Sequence, residues 1–236
     1  MNESPFRRGG SGRRAGNKKT RILKSAVKVF ARKGFHETKV AEIARAAGVA
    51  DGTIYLYFKN KDDLLISLFE DQMDRLNEQL RSDLNGLPDT ALRVRHVVRC
   101  QLGHVKDHRD LAEVLSVTLR QSNRFLRQFA APKFSEYLDI IAEVIAEGQR
   151  KGEIRDDVAP RVVARALYGA LDGLMLTWAL GRSPASRLER AALQVADVLV
   201  RGLIPDGAPR PVGLKEESAR ASEETVEVSG PSRLDS

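Results

Sequence analysis

A short helix, a glycine and a second short helix between Thr38 and Lys61 constrain this chain more than any other feature. The run reads TKVAEIARAAGVADGTIYLYFKNK. Val40, Ile43, Ala44 and Ala47 recur at three- and four-residue steps, so the first helix has one buried face. Thr38 suits its N-cap, where a hydroxyl accepts from a free first-turn amide. Gly48 falls where this helix must stop, and glycine tolerates the left-handed conformation of a C-terminal cap. Val49 then offers an apolar plug. A second helix is expected from about Asp51 to Tyr57, with Ile54 and Phe58 inward and Asp51, Gly52, Thr53 and Tyr55 outward. Two short helices about a glycine turn, the second carrying small polar and aromatic residues outside, is the layout of a helix-turn-helix DNA reader.

The flanks extend the helical pattern. Ile22, Ala26, Val29 and Phe30 give a helix from about Asn17 to Lys33 its buried stripe, and Gly34 ends it. Asn60 is an N-cap for a longer helix reaching about Leu84, and Asp62 and Asp63 favour the positive end of its dipole. Free amides there, together with Lys61, make a phosphate clamp. Asn85-Gly86-Leu87-Pro88 breaks that helix. Further helices are expected over about Thr90–Lys106 and Arg109–Arg120. Another is capped by Asn123 and ends near Arg150, with Pro132 kinking or splitting it. The last two are Pro160–Leu180 and Ala185–Leu203. Aromatics are only 6% and no run of alternating β-branched residues occurs, so the fold class is all-α.

Four regions follow. Residues 1–17 set Arg7, Arg8, Arg13 and Arg14 among Gly, Ser and Pro, which reads as a disordered basic arm able to follow phosphates or enter a minor groove. Residues 18–64 form the helix-turn-helix domain and 65–203 a larger helical domain. Residues 204–236, rich in Pro, Gly, Ser and Glu, read as a disordered tail. The formal charge of +7 suits a polyanionic partner, though RNA or a membrane surface would fit charge alone equally well. No apolar stretch is long enough to span a membrane, and the polar, basic start holds no signal-peptide core. The single Cys100 excludes an intrachain disulfide and suits a reducing cytoplasm.

The run FARKGFHETKVAEIARAAGVADGTIYLYFKNKDDLL resembles the DNA-binding domain of TetR-family transcriptional regulators. Gly34-Phe35, Thr38, Ile43-Ala44, Ala47-Gly48-Val49, Gly52-Thr53, Tyr55, Tyr57-Phe58 and Lys61 carry the likeness. One position departs: the family's Ser or Thr cap of the second helix is Ala50, with Asp51 next to take over the cap. The resemblance implies a repressor in which Thr53, Tyr55 and Asp51 face bases and Gly52 permits close approach. Thr38, Lys39, Tyr57 and Lys61 then hold phosphates.

It also implies a homodimer joined through its last two helices. Ala166, Gly169, Ala170 and Gly173 place small residues on neighbouring faces. Leu193, Val195 and Leu199 add apolar surface, as ordinary intrachain core also would. A narrower similarity, over about residues 18 to 203, is to TetR-type regulators of fatty-acid degradation. It rests on YLYFKNKDDLLISLFEDQMD, SVTLRQSNRFLRQF and YGALDGLMLTWAL, and it implies release from palindromic operators by long-chain acyl-CoA. Leu115, Leu119, Phe129, Tyr137 and Ile141 could wall an acyl tunnel with Leu171, Met175 and Trp178. Arg120 and Arg124, with Arg127, Lys133 and Arg150, could meet the nucleotide phosphates. A TetR-type repressor of an efflux operon, answering to a hydrophobic drug, is the alternative.

Other chemistry finds little support. His96, Cys100, His104 and His108 recur at four-residue steps, but such steps drift about 40° each on a helix and cannot converge unaided. The sequence sets no carboxylate cluster beside them, so no metal site is expected. There is no nucleophile–base pattern and no phosphate-binding glycine loop, so neither catalysis nor a cofactor is expected.

Overall fold

The computed structural model describes residues 11–121 and 132–205, with side chains from 17 to 120 and from 132 to 205. Among the described residues the fold is helical throughout. The order is α1 (Ser11–Glu37), α2 (Val40–Ala47), α3 (Asp51–Tyr55), α4 (Lys61–Leu84), α5 (Thr90–Gly103) and α6 (Arg109–Ser116). A 3-10 turn (Thr118–Gln121) follows, then α7 (Pro132–Arg150), α8 (Pro160–Leu180) and α9 (Ala185–Leu203).

The first three helices pack through the positions that the periodicity picks out. Ile22, Ala26, Phe30, Ile43, Ala44, Ile54 and Phe58 are all buried. Gly34 leaves the helical conformation at φ 74°, so α1 is two pieces joined at that residue. Gly48 takes φ 62° and ends α2, its amide and that of Val49 donating to Arg45 and Ala44 carbonyls. Asn60 caps α4 by accepting from the Asp63 amide at 2.8 Å, and Asp63 accepts from the Lys59 amide at 2.7 Å. This reciprocal pair satisfies two donors that would otherwise face solvent alone.

Several boundaries differ from expectation. α1 begins at Ser11, so the stretch from there to Asn17 is helical and not an irregular arm. Residues 1–10, with Arg7 and Arg8, lie outside the described residues, as do residues 206–236 of the tail. Thr38 is not the N-cap of α2. That place is Lys39, and the Thr38 hydroxyl instead donates to the Gly34 carbonyl at 2.7 Å. The carbonyl is open because Gly34 has left the helix. Asp51 does not cap α3 either. The N-cap is Ala50, whose carbonyl accepts from Thr53 at 2.8 Å, and α3 stops at Tyr55, short of Tyr57. α6 ends at Ser116, where the β-branched pair Val117 and Thr118 tightens into the 3-10 turn. Pro132 opens α7, the position at which its missing amide costs nothing. Asn123 and the stretch before Pro132 lie outside the described residues.

α4 is the structural link. It packs on α1, α5 and α7, and its first residue, Lys61, reaches the turn between α1 and α2. α8 lies against α7 and α6, and α9 closes over α5 and α8. A buried ion pair crosses that closure. Arg95, only 2% exposed, donates to Asp197 from Nε at 2.9 Å and from Nη2 at 2.6 Å. None of the described helices is long and apolar enough to cross a membrane.

Candidate DNA-reading face and effector cavity

The outer side of α3 is open. Asp51, Gly52 and Tyr55 are exposed and Thr53 is half-buried, while Ile54 is held in the core. A Cβ built on Gly52 would meet nothing within 4 Å, so a second surface can approach the backbone there. Lys39 is exposed at the start of α2, with Arg45 further along. Tyr57 is half-buried and packs near Phe58. Leu56 was not singled out by the sequence reading, yet it is 81% exposed beside Tyr55. Helical spacing was the available signal: Ile54 and Phe58 share the inward face, and Leu56, two residues from each, falls about 200° round from it.

Two of the expected phosphate contacts are occupied inside the protein. Thr38 is buried and its hydroxyl serves Gly34. The Lys61 ammonium donates to the carbonyls of Phe35, His36 and Thr38, so it clamps the chain after Gly34 and does not stand open beside α4. The physical reason is the break at Gly34, which turns three carbonyls toward one point. A cation fills that point more strongly than neutral donors would.

An apolar cavity of about 50 Å³ lies between α4, α5, the end of α6, α7 and α8. Phe69, Met73 and Leu76 line it from α4, and Leu115, Tyr137, Tyr168 and Met175 close it. Gln72, Gln101, His104 and Val105 complete the wall. Tyr137 is fully buried and donates to the Gln101 side chain; burial pushes its phenol well above the usual tyrosine range. His104 is held below its ordinary value by burial and then by nearby Arg75. Gln72 and His104 also border an open groove between α1, α4 and α6, where Lys24, Lys28, Arg75 and Arg109 mix with Asp71, Asp107 and Asp110, and Arg75 donates to Asp71 at 3.1 Å.

Of the expected tunnel residues, the structure brings Leu115, Tyr137 and Met175 together. Leu119, Ile141 and Leu171 are buried elsewhere in the core. Trp178 is packed under the Arg109 guanidinium, 4.3 Å from its ring centroid, and not in the cavity. Arg124 and Phe129, like Arg127, lie outside the described residues. The remaining cations do not cluster at the cavity. Arg120 pairs with Asp172, Lys133 with Asp74 at 2.7 Å, and Arg150 with Glu143 at 2.7 Å. The α4 contribution was missed because its apolar positions read as ordinary core. No signal in the sequence separates those positions from core.

The small residues of α8 face outward. Ala166, Gly169 and Gly173 are exposed and Ala170 half-buried, and a Cβ on either glycine would meet nothing within 4 Å. Val162, Leu180 and Val198 on the neighbouring surface are 65–71% exposed. Leu193, Val195 and Leu199 are half-buried.

His96 and Cys100 sit on α5, but that helix ends at Gly103, and His104 and His108 follow in and beyond its cap. Contrary to expectation, a carboxylate does stand beside the first pair: Asp83 Oδ2 is 2.9 Å from His96 Nε2. Burial, then the Asp83 charge, push the Cys100 thiol up to about 11, so it is protonated at neutral pH and a poor nucleophile.

Residues 22–68 match the family described as bacterial regulatory proteins, tetR family, and residues 69–202 match the C-terminal region of YsiA-like proteins. The chain is 35% identical to the fatty acid metabolism regulator protein of Bacillus subtilis, over 77% of this chain and 93% of that one. It is similar to the crystal structure of the transcriptional regulator FadR from Bacillus subtilis in complex with stearoyl-CoA. There the TM-score is 0.71 at 34% identity, covering 78% of this chain and 98% of the other. FadR from Thermus thermophilus, a TetR-family transcriptional repressor in complex with lauroyl-CoA, matches with TM-score 0.58 at 27% identity, over 82% and 98% of the two chains.

Proposed function

Because the chain belongs to the TetR family of bacterial regulatory proteins, we propose that it is a transcriptional repressor of fatty-acid metabolism genes released from palindromic operators by long-chain acyl-CoA. The observation that carries this reading is the 35% identity to the fatty acid metabolism regulator of Bacillus subtilis along nearly its whole length. The stearoyl-CoA and lauroyl-CoA complexes of similar proteins support the class of effector.

In this reading residues 18–64 read DNA and 65–203 bind effector and dimerise. Thr53, Tyr55 and Asp51 face base edges, and Leu56 offers an apolar contact to a thymine methyl. Lys39 and Tyr57 meet phosphates. Thr38 and Lys61 hold the reader in shape from behind, and any phosphate contact at Thr38 comes from its backbone. Two copies join through the small-residue face of α8 and the outer side of α9. An isologous pair of this kind sets two α3 helices about one DNA turn, or a multiple, apart. The protein then works in the cytoplasm, beside the DNA.

The cavity supplies the switch. At about 50 Å³ it admits a water or two, whereas ligand pockets start at about 300 Å³. An acyl chain therefore has to part α4 from α5 and α8 in order to enter. Phe69, Met73 and Leu76 lie on α4, whose first residue is Lys61 under the reader, so the same displacement tilts α3. The CoA nucleotide would lie in that groove beside Lys24 and Lys28, since Arg75 there is paired with Asp71; Gln72 and His104 join groove to cavity. The effector shifts the equilibrium only by its preference for the parted state; a hundredfold preference is about 2.7 kcal/mol.

The test is a fluorescence titration of the full chain against its own upstream intergenic DNA, with palmitoyl- or stearoyl-CoA added. Free CoA, free fatty acid and detergent are the controls. Release by acyl-CoA alone is the expected result. Tight binding without release keeps the regulator and sinks the acyl-CoA assignment, and release by hydrophobic drugs instead would favour an efflux regulator.

A further inference from the structure

The last turn of α4 and the middle of α5 bring three different donor atoms to one point. Asp83 Oδ2 lies 2.9 Å from His96 Nε2, Cys100 Sγ lies 3.1 Å from the same nitrogen, and sulfur and oxygen are 3.9 Å apart. His96 and Cys100 are four residues apart on one helix, so they share a face; Asp83 comes from the helix packed against it. Hydrogen bonds hold the three only loosely: with the proton on Nε2, His96 serves Asp83 and the Cys100 S–H is left the same carboxylate oxygen at 3.9 Å; in the other tautomer the S–H serves the ring nitrogen at 3.1 Å.

A cation at the centre would satisfy all three at once. Zinc bonds of about 2.0–2.3 Å at tetrahedral angles set O, N and S donors about 3.3–3.6 Å from one another. Each observed separation reaches that range by a shift of about half an ångström, within side-chain adjustment. The carboxylate is already held in place, since Gln79 Nε2 donates to the same Asp83 Oδ2 at 2.6 Å. Such an outer partner is what orients a metal ligand. The side chains of His96 and Asp83 keep 27% and 28% of their surface open, which leaves a path for an ion and a fourth position for water.

We propose that Asp83, His96 and Cys100 form a site for a borderline divalent transition-metal ion, zinc before others, that ties the end of α4 to α5. The mixed O, N and S donor set selects this class; magnesium and calcium want oxygen alone. Binding breaks the Cys100 S–H bond, the proton leaves to solvent, and a metal–sulfur bond forms, with no change of oxidation state. The position has a consequence for the switch. Asp83 is 22 residues beyond Lys61 on one continuous helix, about 33 Å away. A metal there anchors the far end of the lever whose near end carries the reader.

The experiment uses the untagged full-length protein, stripped with chelator and titrated with Co²⁺, then Zn²⁺. The expected result is a near-ultraviolet thiolate-to-cobalt band that saturates at one ion per chain and is abolished by Zn²⁺. Cys100→Ser removes the band, Asp83→Asn weakens binding by about tenfold or more, and His108→Gln leaves it unchanged. In wild type, Zn²⁺ also protects Cys100 from alkylation, which tests the site should Cys100→Ser fold poorly. Absence of the thiolate band, its persistence in Cys100→Ser, or alkylation unaffected by Zn²⁺ would each overturn the proposal. These readouts need neither operator nor acyl-CoA, so they stand or fall apart from the effector reading.

Discussion

Lys61 reaches back 26 residues to Phe35: its ammonium lies 2.5 Å from the Phe35 carbonyl oxygen and 4.5 Å from the centroid of the same residue's ring. The carbonyls of His36 and Thr38 complete the cradle at 3.0 Å each. A lysine that begins the long connector helix therefore fixes the turn into α2. Lys61→Met keeps the stem and removes the charge. Hydrogen bonds to a charged group are worth about 1.5–3 kcal/mol, and at this half-buried site we expect a loss of about 1–2 kcal/mol in urea unfolding. Operator affinity should fall while its salt slope stays constant. A phosphate-binding lysine would instead reduce the slope by about one unit.

Gly148 on α7 lies against the start of α5. A Cβ there would sit 2.5 Å from Thr90 Oγ1 and 2.8 Å from Ile154 Cγ1. Thr90 cannot give way cheaply, because its hydroxyl and amide both donate to Glu153, at 2.6 and 2.9 Å. Two effects oppose each other in Gly148→Ala. Helix propensity favours alanine by about 1 kcal/mol, and overpacking costs about 1–3 kcal/mol. With contacts this short, overpacking wins and the melting temperature falls. A rise would mean that α5 and α7 can separate there without loss.

The fold was legible where one local signal governed each element. Pro160, Asn60 and Gly48 mark helix ends that the structure reproduces, and the buried stripe of α1 and α2 follows its period. The misses have one physical origin: a side chain's role depends on what distant chain brings to it. Thr38 looks like a cap until Gly34 leaves the helix and opens a carbonyl to its hydroxyl. Lys61 looks like a phosphate clamp until that same break gathers three carbonyls. Asp83 is 13 residues before His96 and on another helix, so no spacing rule could pair them. The cavity was half legible. Leu115, Tyr137 and Met175 come from patterns that read as pocket walls, but the α4 wall is indistinguishable from core without knowing which face α5 covers.

Gly169 and Gly173 allow the proposed dimer face to be tested against intrachain core. Neither has a neighbour within 4 Å of where a Cβ would stand. The monomer thus gains nothing from their smallness. Gly169→Leu with Gly173→Leu should raise intrinsic helix stability by up to about 1 kcal/mol per site. The same change should block close approach of a second copy and shift sedimentation toward the monomer. Were these glycines needed inside one chain, the double variant would lose stability and keep its oligomeric state.

His104 gives the protein an acid-side weakness with a definite sign. Burial first, and then the Arg75 charge, hold its pKa below the ordinary value of 6.5. Between those two values the unfolded chain binds a proton that the folded chain does not. Stability then rises with pH across that window, is fully present above about 6.5, and is lost as pH falls toward the folded value. Because His104 also lines the cavity, charging it would place a cation against the apolar wall proposed to take an acyl chain. His104→Gln keeps a polar side chain and removes the titration. Urea midpoints at about pH 7.5 and 5.5 should draw closer together in the variant than in wild type. Effector release should likewise lose part of its pH dependence. Equal spacing of the midpoints in both proteins would assign the acid sensitivity to other groups.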